Sequence, residues 1–511
     1  MMRTTRRTLI ASGVSLGAVL PFLRIQGARA QRTPGVLRFG LSSFPPSVQP
    51  WANTGTAAGT VKLLIHRGLL SYDTEGKLRG ELAEEWHNEG ADTWTFRLRQ
   101  NALFQNGEPV TASDVKWNLE QMAAERSTAY YRAEMGGVAR IETPDERTVR
   151  IVMKSPTATL PNWTASYHMG LISRRSPAGQ PIGAGPFILK GQERGTSMEL
   201  EAFDKYYKPG LPKLRGIRIV AYPDENLRVA ALQAGDVDLI EYVPWQAMAS
   251  IEADERFKLD TVDGPFMYLL FNATRGPLAD ARVRRAIAHA IRREDIVKAA
   301  FFGRGSPLEG LPIPPQSEFF DAELARGWRY DPEIAKKLLA EAGHPGGFST
   351  SILATAQYGM HKDTAEVVQQ SLAAIGIQAE LRLPDWATRV NLGNRGQYEI
   401  AVQGTATDNN DPDGLANLIN GSLSPSYVRS YGLRVPRVEE LMAKARAEFE
   451  TPKRKEIYRE VQRVVLEEAP IVGLAWRSQG YAMPKEVTGF RNMPGSLTFF
   501  SGVTLEETKI G

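Results

Sequence analysis

One carboxylate in this chain is placed for chemistry. The run 397–420, QYEIAVQGTATDNNDPDGLANLIN, holds Asp408, Asp411 and Asp413 within six positions. Asp411-Pro412 reads as a helix start, because an N-cap aspartate accepts free backbone N–H groups and a proline in the first turn has none to lose. Asp413 then falls in the first turn, where a negative charge meets the positive end of the helix dipole. Asp408 is left without such a role. A carboxylate withdrawn from water needs a cation or several N–H donors, or its pKa rises. A bound ammonium would supply that partner; the alternative is a solvated loop aspartate. Trp386, in Pro384-Asp385-Trp386, offers a large aromatic surface for a pocket wall or for core packing. Phe44, Phe266 and Tyr268 are further pocket-wall candidates.

Other chemistries find little support. The chain has no cysteine, which removes disulfides, thiolate catalysis, iron–sulfur clusters and cysteine-ligated zinc together. His66, His87, His168, His289, His344 and His361 are scattered without metal-ligand spacing, and neither H-E-x-x-H nor a phosphate-binding glycine loop occurs. Gly13-Val14-Ser15-Leu16-Gly17 fits a nucleophile elbow, but it lies in a segment that reads as an export signal. The expectation is no catalytic centre, no metal and no cofactor.

The elements that must position these groups alternate between strand and helix, which is an α/β pattern. Residues 268–272 are apolar and aromatic and read as a buried strand, ended by Gly276-Pro277. Asp280 stands as an N-cap, and Val283, Ile287, Ala290 and Ile291 recur at three- and four-residue steps as one apolar face of a helix. Arg282, Arg284, Arg285, Arg292 and Arg293 lie mostly off that face and read as a solvated surface. Alternation marks strands at 94–98 and 149–153; further strands are read at 36–41, 199–203, 217–222, 377–383 and 398–402. Thr111 with Asp114 resembles a capping box, with Val115, Leu119 and Met122 turned inward. Asp331-Pro332 opens another helix that Gly343 stops. Two amphipathic helices follow at 438–449 and 453–468. Gly183-Ala184-Gly185 suits a close backbone approach.

The 511 residues, 42% hydrophobic and 23% charged, suit a globular protein with a sizeable core. Length suggests three structural units at roughly 150 residues each. No apolar run reaches the ~18 residues of a membrane-spanning helix. The net charge of +4 is misleading, because residues 1–30 contain Arg3, Arg6, Arg7, Arg24 and Arg29 and no acid. Without them the chain is slightly acidic, and no basic stripe argues for nucleic acid. Thr5-Arg6-Arg7-Thr8-Leu9-Ile10 resembles a twin-arginine motif, an apolar region follows, and Ala28-Arg29-Ala30 fits a cleavage site. Residues 1–30 are therefore expected to be an export signal cut near Ala30, leaving a periplasmic protein.

A long resemblance runs through the chain. YLLFNATRGPLADARVRRAIAHAIRREDIV at 268–297 resembles the signature of the extracytoplasmic solute-binding proteins of the peptide/nickel class, family 5, receptors for ABC importers. NALFQNGEPVTASDVKWNLE, Gly183-Ala184-Gly185-Pro186-Phe187, Ala234-Gly235-Asp236-Val237-Asp238 and YDPEIAKKLLAEAGHPGGF are similar to further blocks of that family, in order, from about Leu37 onward. The resemblance implies a two-lobed periplasmic-binding-protein fold of the Venus-flytrap type, α/β, with a hinge and an extra subdomain. It implies a lobe I core from 31–62, 181–268 and 476–511, an extra subdomain from 63–180, and lobe II from 269–475. It implies a monomer that captures a peptide or related amine-bearing molecule and delivers it to membrane permease subunits. Asp408 resembles the family carboxylate that receives a peptide's α-amino group. Two positions depart from the pattern: Thr405 stands where Trp is usual, and 354–360, ATAQYGM, lacks the arginine that holds a dipeptide's carboxylate. A non-peptide ligand, such as a nickel chelate, sugar or opine-like compound, is the alternative; a secreted enzyme and a folding helper or adhesin are the rival classes.

Overall fold

The computed structural model describes residues 33–52 and 55–511. The export signal expected over 1–30 lies outside the described residues. The frame is one eleven-stranded mixed sheet. Its path runs from Gln378–Arg382 through Ser349–Leu353 and Ile400–Thr405 to Phe257–Phe271. It then passes Val472–Pro484, Leu239–Ile240, Val36–Leu41, Gly216–Ala221 and Ser197–Ala202, and ends at Phe187–Glu193, with Gly305–Pro307 joining beside Val472–Pro484. A separate four-stranded antiparallel sheet contains Ala83–Asn88, Thr93–Leu98, Val138–Glu142 and Thr148–Met153.

Two long strands cross the molecule. Phe257–Phe271 pairs antiparallel with Val472–Pro484, and the pairing has two halves. Residues 257–263 pair with 478–484, beside the strands that begin at Val36 and Leu239. Residues 266–269 pair with 472–476 and also with Ile400–Thr405. Between the halves the register slips from Asp263 to Phe266, a bulge at Gly264-Pro265. A bulge bends its strand and strengthens the local twist, so the two halves of the sheet diverge here.

The apolar cores follow that division. One surrounds 266–271 and 472–476 and includes Val283, Ile287, Leu339 and Val461. Another lies under Leu37, Phe39, Ile217 and Ile219, and a third under Phe96, Leu98, Val149 and Ile151. Met493, Leu497 and Phe500 from the end of the chain join this third core. Among the described residues no helix is long and apolar enough to cross a membrane.

Local reasons for the elements are visible at their ends. Thr111 and Asp114 form the capping box in both directions. Asp280 accepts from the backbone N–H of Arg282, and Asp331 from those of Glu333 and Ile334. Gly183 and Gly185 lie against the backbone of Ile65, where an added Cβ would come within 2.0 and 2.5 Å of its carbonyl group.

Two expectations are corrected. The strand read at 268–272 is the end of one that starts at Phe257. The arginine-rich segment is not one solvated helix: it breaks into Ala281–Ala290 and Arg293–Phe301, and Arg284 and Arg293 are each only 1% exposed. Their guanidinium forks satisfy carbonyls that the turns leave open. Arg284 donates to Leu278, Ala279, Glu468 and Ala469, and Arg293 to Leu308, Gly473 and Trp328. Five donors on one rigid plane make arginine suited to this work. Arg282 and Arg292 remain exposed.

Buried charge also joins distant segments. Glu81 and Glu506 lie at 0% and 1% exposure among Arg67, Arg79 and Lys208, with Lys208 Nζ 2.9 Å from Glu81 and 2.7 Å from Glu506. Arg67 reaches Glu506 at 2.9 Å, and these cations hold the Glu81 and Glu506 carboxyls below the usual range against the opposing effect of burial.

The bulge supplies a test. A Cβ on Gly264 would meet the carbonyl oxygen of Gly495 at 1.9 Å, a backbone atom that cannot swing aside. Gly264→Ala is expected to destabilise by about 2–3 kcal/mol, read as a fall in thermal midpoint. Gly191→Ala, where an added Cβ meets nothing within 4 Å, should leave the midpoint unchanged. Equal midpoints for the two variants would refute a tight bulge.

Candidate functional site

The strand Ile400–Thr405 lies beside the inner half of Phe257–Phe271 and delivers the loop carrying Asp408 to the mouth of a large cavity. The three aspartates of that loop have different partners. Asp411 caps the turn by accepting from Asp413 N at 2.9 Å, and it takes Arg454 in a two-pronged pair at 2.6 and 2.7 Å. Asp413 is buried and paired with Arg446 at 3.0 Å, so a side-chain cation, beyond any helix dipole, neutralises it. Asp408 has no such cation. Its carboxylate accepts a 2.5 Å hydrogen bond from the Tyr130 hydroxyl, and burial pushes its pKa up to about 6 against the lowering effect of that bond.

Tyr130 comes from the opposite side. It stacks on His168 with ring centroids 4.3 Å apart, and burial holds His168 down at about 3 and therefore neutral. Other bonds accompany Tyr130–Asp408 across the cleft: Thr407 Oγ1 meets Ser496 Oγ at 2.6 Å, and the Ser496 N–H donates to Asn410 Oδ1 at 3.1 Å. The cavity, partly open to solvent, measures about 780 Å³.

Trp386 forms part of its wall. It starts the helix Trp386–Asn394, which Asp385 caps by accepting from Thr388 N at 3.0 Å. The indole stands edge-on to Tyr358 at 5.5 Å, His361 at 5.5 Å and Tyr427 at 5.9 Å, and Arg389 lies over it. Trp386 is half-buried, with a face left for the cavity. Thr405, at the end of its strand, also lines the space. A smaller residue there leaves room that a tryptophan would fill.

Asp408, Trp386 and Thr405 are thus brought together. Phe44, Phe266 and Tyr268 are not among the lining residues. Phe266 and Tyr268 are 0% exposed; two apart on a strand, they share one covered face, where Phe266 meets Trp476 and the Tyr268 hydroxyl donates to the Val428 carbonyl at 2.8 Å. Phe44 packs against the core around Leu37 and Ile217.

Sequence reasoning missed Tyr130, Tyr358, Tyr427, Arg429 and Arg477, all of which line the cavity. Only Arg477 left a signal. It interrupts VGLAWRSQGYAMP, an otherwise largely apolar strand in which an arginine is out of place unless it faces something polar.

Comparison with known proteins agrees with this architecture. The glutathione-binding protein GsiB of Escherichia coli strain K12 is 28% identical over 480 residues, covering 90% of this chain and 92% of that protein. The periplasmic binding protein AgaA of A. tumefaciens R10, solved in complex with agropinic acid, is 40% identical, covers 93% of this chain and 99% of that one, and superposes with a TM-score of 0.84. The periplasmic binding protein DppA from Helicobacter pylori, in complex with the peptide STSA, shares the fold at 22% identity and a TM-score of 0.79, covering 94% of this chain and 98% of that one. The fold is that of a two-lobed periplasmic binding protein. Residues 77–426 match the model of the bacterial extracellular solute-binding proteins, family 5, middle region, and with well over half of its length so matched, this chain belongs to that family.

Proposed function

We propose that this protein is the periplasmic substrate-binding component of an ABC importer. It captures a small amino-acid-derived molecule between its lobes and passes it to permease subunits as a monomer, without altering it chemically. The units are those expected above: a lobe I core from 31–62, 181–268 and 476–511, an extra subdomain from 63–180 and lobe II from 269–475, preceded by a twin-arginine-type export signal cut near Ala30. The observation that carries the ligand reading is Asp408: a desolvated carboxylate without a cation, opening on an interlobe cavity of about 780 Å³. That volume lies within the ordinary range of small-molecule sites. A ligand ammonium brought to Asp408 restores the neutralisation that Asp411 and Asp413 already have, and lobe closure excludes competing water.

A second reading, an opine-like ligand, has its own support. The neighbour bound to agropinic acid is 40% identical, whereas GsiB is 28% identical. The absence of an arginine from 354–360 also argues against a plain dipeptide. Mass spectrometry of the small molecules released on denaturation, followed by calorimetric titration with agropinic acid, glutathione and the dipeptide Met-Leu, separates these ligands.

Asp408→Asn is expected to weaken binding of the amine-bearing ligand at least about tenfold at pH 7.5, the scale of one charge-assisted contact. Unchanged affinity would sink the Asp408–amine pairing. The same substitution should raise the thermal midpoint of the empty protein by about 1–3 °C. The sign follows from linkage. The folded carboxyl titrates at about 6, above an unfolded value of about 4. Its stabilising protonated form is complete below that unfolded value and is lost as pH rises through 6.

Ligand affinity should run the opposite way. An ammonium pairs with the ionised carboxylate, and at pH 5 only about one tenth of Asp408 is ionised in the empty protein. Affinity measured at pH 5 should be about tenfold below that at pH 7.5 in the native protein and nearly flat in Asp408→Asn. A flat profile in the native protein would remove the carboxylate from the binding step.

A further inference from the structure

We propose that Arg477 is the receptor for a ligand carboxylate in the same cavity as Asp408, so that the preferred ligand carries an acid group as well as an amine. This rests on the reading of the cavity as the ligand site and adds to it the second charge. Arg477 lines the cavity from the middle of the crossing strand Val472–Pro484 and is 3% exposed. Its Nε has no hydrogen-bond partner, and Nη1 lies 3.5 Å from Gln479 Oε1, the outer limit of such a bond. The Tyr242 hydroxyl is its other polar neighbour. Among the described residues no carboxylate lies within ion-pair distance of it.

The other buried arginines differ. Arg38 binds Asp238 at 2.7 Å, Arg67 binds Glu506 at 2.9 Å, and Arg454 binds Asp411 at 2.6 Å. Arg293 reaches the Trp328 carbonyl at 2.7 Å, Arg389 the Val402 carbonyl at 2.7 Å, and Arg429 the Asn417 carbonyl at 2.6 Å. Each has at least one short bond to a carboxylate or a carbonyl, whereas among the described residues the Arg477 guanidinium has only the long contact to Gln479 and a bond with the Tyr242 hydroxyl. A guanidinium withdrawn from water with its donors unspent is matched by a planar carboxylate, which takes two parallel N–H bonds at once.

The backbone around Arg477 is also arranged at a cost. Tyr242 lines the same cavity with φ at 49°, the left-handed region that a tyrosine rarely adopts, and its carbonyl is held by Arg228 at 2.8 Å. The strain keeps the Tyr242 ring in the wall, stacked on Phe499 at 5.9 Å.

Arg477 and Asp408 form no ion pair with each other, and neither is among the charges acting on the other. The positive charge of Arg477 helps to hold His361 low, and His361 stands against Trp386 and Tyr358. Asp408 senses burial and Tyr130 but no arginine, and it raises Tyr130, Tyr131 and Tyr167 on the opposite wall. Two opposite charges that line one cavity and do not pair with each other select a ligand that carries a partner for each. The arginine that sequence comparison seeks in 354–360 is thereby replaced from another strand.

The test uses fragments carrying one charge each: ¹³C-labelled propionate, its neutral analogue propionamide, and propylammonium, followed by NMR titration of the native protein, Arg477→Gln, Arg477→Lys and Asp408→Asn. Propionate is expected to bind the native protein saturably in the millimolar range, at least about tenfold more weakly in Arg477→Gln, and to remain detectable in Arg477→Lys. Propionamide should not bind. No saturable propionate binding to the native protein, or equal binding to the native protein and to a folded Arg477→Gln, would overturn the proposal. If Arg477→Gln does not fold, loss of binding in Arg477→Lys equal to that of propionamide overturns it as well. Failure of the Asp408 reading shows separately, as propylammonium binding that is unchanged in Asp408→Asn.

Discussion

The structure depends on one antiparallel ladder. Phe257–Phe271 and Val472–Pro484 are paired along both halves of the sheet, and the slip at Gly264-Pro265 lies where those halves meet. Part of the cavity wall is tied to that ladder. Thr405 is paired with Phe266 immediately after the slip, the Asp408 loop hangs from the same strand as Thr405, and Arg477 follows Trp476, the partner of Phe266. A hinge placed in a continuous ladder keeps its backbone bonds while the two sides rotate. The ligand groups nearest the ladder are therefore fixed in register, whatever the angle between the lobes.

Against that frame the buried charges divide into two kinds. Glu81 and Glu506 with Arg67, Arg79 and Lys208, Asp238 with Arg38, and Asp411 with Arg454 are neutralised within the protein. Such groups are expensive to desolvate and become acceptable only when paired and hydrogen-bonded, so they act as specific ties between segments far apart in sequence. Asp408 is half-buried and Arg477 is 3% exposed, and among the described residues neither forms an ion pair. Other buried cations, Arg293 and Arg389 among them, are satisfied by backbone carbonyls, whereas Asp408 and Arg477 open on one cavity, which on the proposed reading holds the ligand.

How far this was legible from residues follows from the range of the interactions involved. Capping is local, so Thr111 with Asp114, Asp280, Asp331 and Asp411 were read correctly from neighbours within three positions. Asp408 was found by elimination, because the capping explained only the aspartates beside it. Arg284 and Arg293 were misread because their acceptors, such as the carbonyls of Glu468 and Gly473, lie about 180 residues away, and periodicity places a side chain without naming what lies across from it. Tyr130 is 278 positions from Asp408 and carries no local mark. Tyr268 was rightly read as strand, but it and Phe266 were wrongly offered to the pocket, since alternation divides two faces without saying which one meets the cavity.

The Tyr130–Asp408 bond explains how the cleft can hold its shape and still discriminate. The phenol is pushed well above its usual range by burial and by the nearby carboxylate, so it remains a donor. It reaches only Oδ2 of Asp408. A carboxylate has a second oxygen, and an ammonium approaching Oδ1 leaves the latch across the cleft intact. On the proposed reading ligand and latch act together: the hydrogen bond spans the cleft, closure removes water, and removal of water strengthens the attraction of Asp408 for a cation. A neutral ligand gains nothing from that sequence, because it faces a desolvated carboxylate that it cannot neutralise. On the proposed reading, selectivity for a charged amine rests on the protonation of one aspartate and the reach of one tyrosine, and the rest of the cavity wall is free to follow the shape of the molecule attached to that amine.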